Sequence, residues 1–459
     1  MRIKLLTAAV AAALGVAALP VHALTTEDLL DKLREKGVLS EGEYQEMRGT
    51  AREERQKRKL KEAKEETAAP ATLTGGFRDG FIWESGDKQH SIRLGGRVHA
   101  DYRSYSPDDR SADTFDIRRA RLGVSGKVYE DVTFEVVGEF AAAANATATT
   151  GLDVAWVNFG WIMPVQVRVG QFKMPFNLET LVSSNNIDFQ ERAINSSFAP
   201  GKERGLMVHG SPFAGVTYAA ALSTGAGQNN NDTNTRIDDK DTIGRLTFNI
   251  PEMLGNKDFV THLGIAYTTG AQPVAALTGG IRTEGRGATF FTANSSGGTK
   301  FDRERSGAEL ALAYGPVKLQ GERMNVAFDG TGFSREIESS YVSAMWAITG
   351  ESYVKAYRNG LFGGIKPNRP FTKGAKGMGA WVVGARYSKF DAGDFATGTF
   401  TGTREADAVT VGLNWIPNAM TRVMLNYTKT DFATSLGTDV NGLPIDDEKA
   451  ITLRAQFNW

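Results

Sequence analysis

The chain has 459 residues, with 53 lysines and arginines against 53 aspartates and glutamates, no cysteine, 51 glycines and an aromatic content of 10%. The lack of cysteine excludes disulfides, thiolate metal sites and cysteine nucleophiles together, while the even charge balance says nothing about a partner and leaves the distribution of charge to decide. A hydrophobic fraction of 41% does not separate a soluble domain from a membrane barrel, because a membrane-spanning strand of a barrel shows lipid an apolar residue only at every second position.

Arg2 and Lys4 precede an apolar run from Leu5 to Leu19, followed by Pro20 and the small-residue site Val21-His22-Ala23. This is the pattern of a signal peptide over 1–23, cleaved near Ala23. The run is too short, and too charged on its far side, for a membrane anchor. No later stretch holds about eighteen consecutive apolar residues, so the mature chain can cross a membrane only with strands. Residues 24–66 read as a helical, coiled-coil-like periplasmic arm. Thr26 caps a helix that carries Leu29, Leu30 and Leu33 on one face and stops at Gly37. A second helix starts at Ser40, passes Tyr44 and Met47, and becomes almost wholly charged from Arg52 to Glu66. Its apolar seam is thin, which leaves a solvated or disordered arm and a short oligomeric coiled coil both open. Residues 67–76 read as a linker and 77–459 as a barrel.

From Ser91 onward, segments of about ten residues with alternating polarity recur between turn residues. In the last, Ile451, Leu453, Ala455, Phe457 and Trp459 share one face, and Thr452, Arg454, Gln456 and Asn458 share the other. Val409, Val411, Leu413 and Trp415 repeat the pattern, as do Trp381, Val383, Ala385 and Tyr387, and Phe134, Val136 and Phe140. Short connections at 129–131, 163–164, 211–215, 251–258, 315–316 and 417–420 alternate with long ones at 103–115, 141–152, 173–205, 224–241, 269–305, 329–338, 391–405 and 432–447. The alternation holds only if 350–378 is one unusually long inner connection. The expected fold is therefore all-β: a sixteen-stranded transmembrane antiparallel barrel behind a short N-terminal helical extension.

Several stretches resemble the family of phosphate- and polyphosphate-selective porins called O and P. They are Asp116-Ile117-Arg118-Arg119-Ala120-Arg121-Leu122, Arg168-Val169-Gly170-Gln171-Phe172-Lys173-Met174-Pro175-Phe176, Ile348-Thr349-Gly350-Glu351-Ser352 and Gly412-Leu413-Asn414-Trp415-Ile416-Pro417-Asn418. The resemblance runs from about Gly76 to Trp459. It implies a trimeric porin of the Gram-negative outer membrane, arginines lining the lumen and lysines near the constriction.

Strand parity tests selectivity without the family. Where apolar residues fix the lipid face, alternate positions face inward. Arg93, Arg97, Arg119, Arg121, Lys127, Arg168, Arg245, Lys318, Arg386, Arg422 and Arg454 then point into the lumen, against Asp101, Glu135, Glu139, Glu309 and Glu322. Such an excess attracts anions, and arginine suits phosphate because its planar donor fork pairs with phosphate oxygens while staying charged. The opposing reading is that inward bases merely pair with inward acids and stiffen the wall. Arg118 shares the parity of the lipid-facing Leu122 and must lie at a strand end, snorkel or follow a bulge. Lys173 has lipid-face parity too, but sits where its strand enters the loop 173–205, which is expected to fold inward and narrow the pore. That loop carries Lys173, Arg192, Lys202 and Arg204 with Glu179, Asp188, Glu191 and Glu203, and is neutral overall.

The candidate anion-pathway residues are Arg93, Arg97, Arg118, Arg119, Arg121, Arg168, Lys173 and Arg204. An enzyme is not expected, since none of His90, His99, His209 and His262 lies near a nucleophile motif. Asp238-Asp239-Asp241 and Asp446-Asp447-Glu448 lack a calcium-loop pattern, and Gly285-Arg286-Gly287 precedes no helix that could cradle a nucleotide. The expectation is a water-filled, anion-preferring outer-membrane channel with no cofactor, metal or nucleic-acid partner, taking inorganic phosphate, polyphosphate or other small anions by diffusion and assembled as a homotrimer in lipid. A porin without phosphate specificity is the alternative, and a structural barrel without transport is a further one.

Overall fold

A computed structural model describes residues 34–35, 40–45, 48–50 and 57, and from Leu73 to Trp459 all residues except 108–109, 142–150, 163, 231–238, 274–278, 294–299 and 375. The expected signal peptide and the Thr26-capped helix lie outside the described residues. The chain divides into two units at Thr72 and Leu73. In the first, the N–H of Ser40 donates to the Glu43 carboxylate at 3.0 Å and the N–H of Glu43 to Ser40 Oγ at 3.4 Å. This reciprocal cap starts a helix. Tyr44 is buried there between the guanidiniums of Arg34 and Arg48, which lie 4.6 and 5.5 Å from its ring centre.

The second unit is a closed barrel. Its strands are β1 (Ser91–Ser106), β2 (Thr114–Val128), β3 (Val132–Glu139), β4 (Gly151–Ile162), β5 (Val165–Lys173), β6 (Lys202–Phe213), β7 (Val216–Ser223) and β8 (Asp241–Asn249). They continue as β9 (Phe259–Pro273), β10 (Lys300–Tyr314), β11 (Val317–Gly330), β12 (Phe333–Ala347), β13 (Ala380–Asp391), β14 (Glu405–Asn418), β15 (Thr421–Phe432) and β16 (Asp447–Asn458). Each pairs antiparallel with the next, and β16 returns to β1 from Lys449↔Ser106 to Asn458↔Arg97. Closure gives each strand a hydrogen-bonded neighbour on both sides, as a wall in lipid requires. The faces follow parity: Ile451 and Leu453 of β16 are 53% and 43% exposed, while Thr452 and Arg454 between and beyond them are 4% and 0% exposed.

The sixteen strands and the single long inner connection match the expectation; among its described residues that connection holds a helical turn, Tyr353–Ala356, and a hairpin, Tyr357–Arg358 with Leu361–Phe362. Two features differ. The stretch 329–338, read as an outer loop, is almost all strand: β11 runs to Gly330 and β12 begins at Phe333, so Thr331 and Gly332 make the whole turn. Gly332 takes φ +82°, which a side chain would resist. The polar run Ser334-Arg335-Glu336 looked like loop because it lies at the barrel's outer rim, beyond the apolar band. The other feature is a hairpin, Leu73–Phe77 with Phe81–Ser85, that begins inside the stretch read as linker. Its second strand pairs with β1 from Phe81↔Leu94 to Glu84↔Ser91, below the part of β1 that β16 covers.

The chain end completes this seam. The N–H of Trp459 donates to the carbonyl of Gly96 at 3.0 Å and that of Gly96 to the carbonyl of Trp459 at 2.9 Å. The indole lies on Gly96 so closely that a Cβ there would fall 2.5 Å from a ring atom, and only glycine fits.

Candidate ion pathway

Three segments enter the lumen. The loop 174–201 carries a helical turn, Leu178–Leu181, that the wall holds at both ends. The N–H groups of Leu178 and Glu179 donate to the Glu322 carboxylate at 3.0 and 2.8 Å, and Lys173 Nζ donates to the carbonyls of Thr180, Leu181 and Val182 at 2.7, 3.2 and 2.8 Å. Two of the N–H groups and three of the carbonyls that the turn leaves unpaired are thus met by charges opposite in sign to its ends. Further along, Arg97 reaches Ser183 and Ser184 at 3.4 and 3.0 Å, and Arg422 reaches the carbonyls of Asn185 and Asp188. Arg454 holds the loop's far side through the Gln190 carbonyl and the Glu191 carboxylate.

The second segment is the outer loop after β9. Its strands Ile281–Arg282 and Thr289–Ala293 form a small sheet with Phe400–Gly402. Buried Glu284 fixes it, accepting from Arg386 at 2.6 and 3.0 Å, Ser388 at 2.6 Å and Thr410 at 2.8 Å. Phe290, Phe291, Phe390 and Phe395 pack beside it in a cluster that also takes Phe198, Phe301 and Phe328. The third segment is the inner connection, whose Tyr353, Tyr357 and Phe362 pack under Leu178, Val182, Ile187 and Phe189 of the loop. These fillings crowd the β8–β14 side. Open space is left along β15, β16 and β1–β3, where a cavity of about 300 Å³ is lined by Arg93, Arg97, Arg121, Glu135, Lys366 and Arg422 among others.

Most of the cations singled out in the sequence lie on this open side. The register passes from His99↔Arg119 to Ala100↔Ile117, which leaves Arg118 as an extra residue in β2. A bulge, one of the three possibilities for Arg118, thus turns it inward; it meets Glu191 at 2.8 and 3.2 Å. Arg119 is buried, its nearest acceptor being His99 Nδ1 at 3.4 Å, and its Nε has no partner among the described residues. Arg121 pairs with Glu139 at 2.6 Å and Asp153 at 2.8 Å, and Lys202 also pairs with Asp153. Arg168 stacks 4.1 Å over the Trp156 ring, its Nε again without a partner among the described residues. Lys173 turns in at its strand end and braces the loop helix. Arg204 does not join them: it shares the side of β6 that carries exposed Leu206, and donates to the Asn229 carbonyl of the outer loop at 3.3 Å.

Parity overlooked Arg103, Arg192 and Arg286. Arg103 sits in what read as loop but belongs to β1, pairing with Asp101 at 2.5 Å and Asp116 at 3.5 Å. Arg192 donates to the carbonyls of Glu179 and Val182. Arg286, whose Nε has no partner among the described residues, faces the group around Glu191; burial and the neighbouring Arg118 bring it down to about 10, so it stays charged at neutral pH. Burial alone would raise the Glu191 carboxyl, but Arg118, Arg454, Arg119 and Arg286 hold it well below the usual carboxylate range. Arg103, Arg118, Arg119, Arg286 and Arg454 thus outnumber Asp101, Asp116 and Glu191. Fixed positive charge in excess of its counter-charges, on a confined path, favours anions over cations.

The family model described as "Phosphate-selective porin O and P" matches residues 92–459, from the second residue of β1 to the chain end. Porin O of Pseudomonas aeruginosa is 27% identical over 393 residues, covering 78% of this chain and 87% of that protein. Among solved structures, the anion-selective porin from Comamonas acidovorans matches with a TM-score of 0.48 at 11% identity, over 81% of this chain and 100% of that one. OmpT of Vibrio cholerae matches with 0.48 at 13% identity, over 81% and 98%. The family match takes in every barrel strand and all three lumen segments, and the chain belongs to the phosphate-selective porin O and P family, as an anion-preferring channel of the outer membrane.

Proposed function

We propose that this channel takes up inorganic phosphate and its short polymers by diffusion, along a track of arginines on the open side of the lumen. One observation carries the reading: among the described residues Arg97, Arg119, Arg168, Arg286 and Arg422 form no ion pair with a carboxylate, their contacts being hydroxyls, a histidine ring, an indole or loop carbonyls where they have any. Arg97 meets only hydroxyls, and no carboxylate pairs with Arg168 or Arg422 among the described ion pairs. Arg121 and Lys173, by contrast, are occupied by Asp153, Glu139 and loop carbonyls, and serve as braces. Guanidiniums not neutralised by a carboxylate keep a net charge, and their planar donor sets suit phosphate oxygens. A row of such sites, none of them fully enclosing, passes an ion along without trapping it.

The test is a planar-bilayer measurement on the variant with Arg97, Arg119 and Arg168 all changed to Gln. The parent is expected to show an anion-directed reversal potential in a salt gradient and block of chloride current by phosphate. The variant should lose most of the block and part of the anion preference, by at least an order of magnitude in half-blocking concentration, since even one charged hydrogen bond of about 1.5–3 kcal/mol corresponds to roughly tenfold or more. Parental block in a normally inserted variant would reject the track.

The assembly we propose is a homotrimer. On β2 the outward face stays apolar to the outer rim, with Phe115 84% exposed and Ile117 49% exposed. On β10, β12 and β15 the outward positions near that rim include the charged Asp302, Glu304, Glu336, Glu338, Lys429 and Asp431. An outward face that stays apolar up to the rim on β2, where these other strands carry charge, fits burial against another copy there. Phe115→Asp should convert unheated protein from trimer to monomer on electrophoresis, and a trimer band of parental strength would count against it.

A further inference from the structure

We propose that Lys318 is a positioning residue for the constriction: it couples the inner connection to the loop 174–201 and so sets the bore of the pore. Lys318 is the second residue of β11, so it enters the lumen at the inner end, under the loop, and it is buried. Its ammonium lies 2.5 Å from Asp188 Oδ2 of the loop and 3.3 Å from Gln320 Oε1 of its own strand. The same ammonium lies 5.2 Å from the ring centre of Tyr353 and 4.7 Å from that of Phe362, both in the inner connection. One cation therefore joins wall, loop and connection. Its charge is taken up by Asp188 and by two ring faces, so what it contributes to transport is geometry and not another free site for anions.

Both bodies it joins are otherwise anchored to different parts of the wall. The connection is tied by Tyr357, whose hydroxyl lies 2.7 Å from His262 Nδ1; His262 Nε2 lies 3.0 Å from Glu309, itself held at 2.8 and 2.6 Å by Arg245. The loop is tied at the Asp188 carbonyl by Asn414 at 2.9 Å and Arg422 at 3.4 Å. A few residues before Asp188 come Ser183 and Asn185, which border the cavity and meet Arg97 and His99. A shift of Asp188 therefore moves the lip of the open space. This inference rests on the loop 174–201 being the narrow part of an ion path, and not on which anion is preferred.

The experiment compares full-length parent, Lys318→Met, Lys318→Arg, Asp188→Asn and the double Lys318→Met/Asp188→Asn in planar bilayers in potassium chloride. Lys318→Met should raise unit conductance about twofold and add open-channel noise, since a loop released from below leaves a wider and less steady path. Lys318→Arg, which can keep both the ion pair and the ring contacts, should restore the parental value. The double variant should stay as conductive as Lys318→Met, because the support is still missing. Parental conductance in Lys318→Met would overturn the proposal, and so would a double variant that returns to the parental value, since the unpaired Asp188 charge would then explain the effect. If Lys318→Met does not assemble as a heat-modifiable barrel, Asp188→Asn alone decides, with the same rise expected and parental conductance overturning. A parent channel without anion preference would sink the proposed function while leaving these conductance comparisons intact.

Discussion

Arg118 and Arg119 are neighbours in sequence yet both serve the lumen, which a regular strand forbids because successive side chains alternate between faces. The bulge in β2 resolves the conflict by inserting one residue opposite β1. Parity alone identified Arg119 and Arg121 as inward-facing, but a single inserted residue leaves no periodic trace, and a strand end or a snorkelling side chain would have looked the same. Glu191 is what the doubled arginines enclose. Its carboxyl is held well below the usual range by Arg118, Arg454, Arg119 and Arg286, so it is charged throughout the neutral range. A carboxylate whose folded value is depressed contributes stability above its unfolded value and loses it only as pH falls through the lower folded one. Its support should therefore persist until the medium is more acidic than an ordinary carboxylate range. Glu191→Gln removes one negative charge from the outer constriction and should move the reversal potential further toward the anion limit, with phosphate block several-fold stronger. A reversal potential unchanged at neutral pH would mean that Glu191 is screened from the path.

The strands were legible because alternation over sixteen segments is a repeated signal, and the loops were not, because what places them is long-range. The loop after β9 shows this. Glu284 lies between Thr283 and Gly285 in a stretch without period, and nothing near it in sequence announces that it will meet Arg386, Ser388 and Thr410 across the lumen. The inner connection is similar: its length was readable as a break in the loop alternation, but not its return into the barrel under Leu178 and Phe189. Taking away Glu284 leaves Arg386 buried with Glu179 as its remaining acid partner, and breaking a buried pair in this way costs about 3–5 kcal/mol. Since that cost falls on one loop and the sheet ladder is untouched, Glu284→Ala should leave the barrel folded while freeing the loop. Trypsin should then cut after Arg282 or Arg286 in the assembled variant and spare the parent. Equal resistance of the two would show that the phenylalanine cluster holds the loop without the ion pair.

At the scale of the whole molecule, closure governs what can be removed. Residues 24–66, expected from the sequence to form a periplasmic arm, precede every described strand, and the protein truncated by them should insert with parental heat-modifiability and conductance. The hairpin Leu73–Phe77 with Phe81–Ser85 is a different matter, although two glycines, Gly75 and Gly76, made that stretch read as a spacer. Ser91 to Leu94 of β1 lie below the reach of β16 and are paired on that side by Phe81 to Glu84 alone. Lys127 of β2 comes within 4.0 Å of Glu84 across this patch. Extending the deletion from 24–66 to 24–86 would expose four residues of open strand edge at the inner rim, where the backbone would have to find water or another chain. The longer truncation should assemble more slowly and lose its folded electrophoretic form at a lower temperature, while the shorter one matches the parent. The comparison is a heating series on unheated and heated samples of the three proteins from outer membranes. If both truncations convert at the parental temperature, the seam between β16 and β1 is complete with Trp459 on Gly96, and the hairpin adds nothing to the stability of the wall.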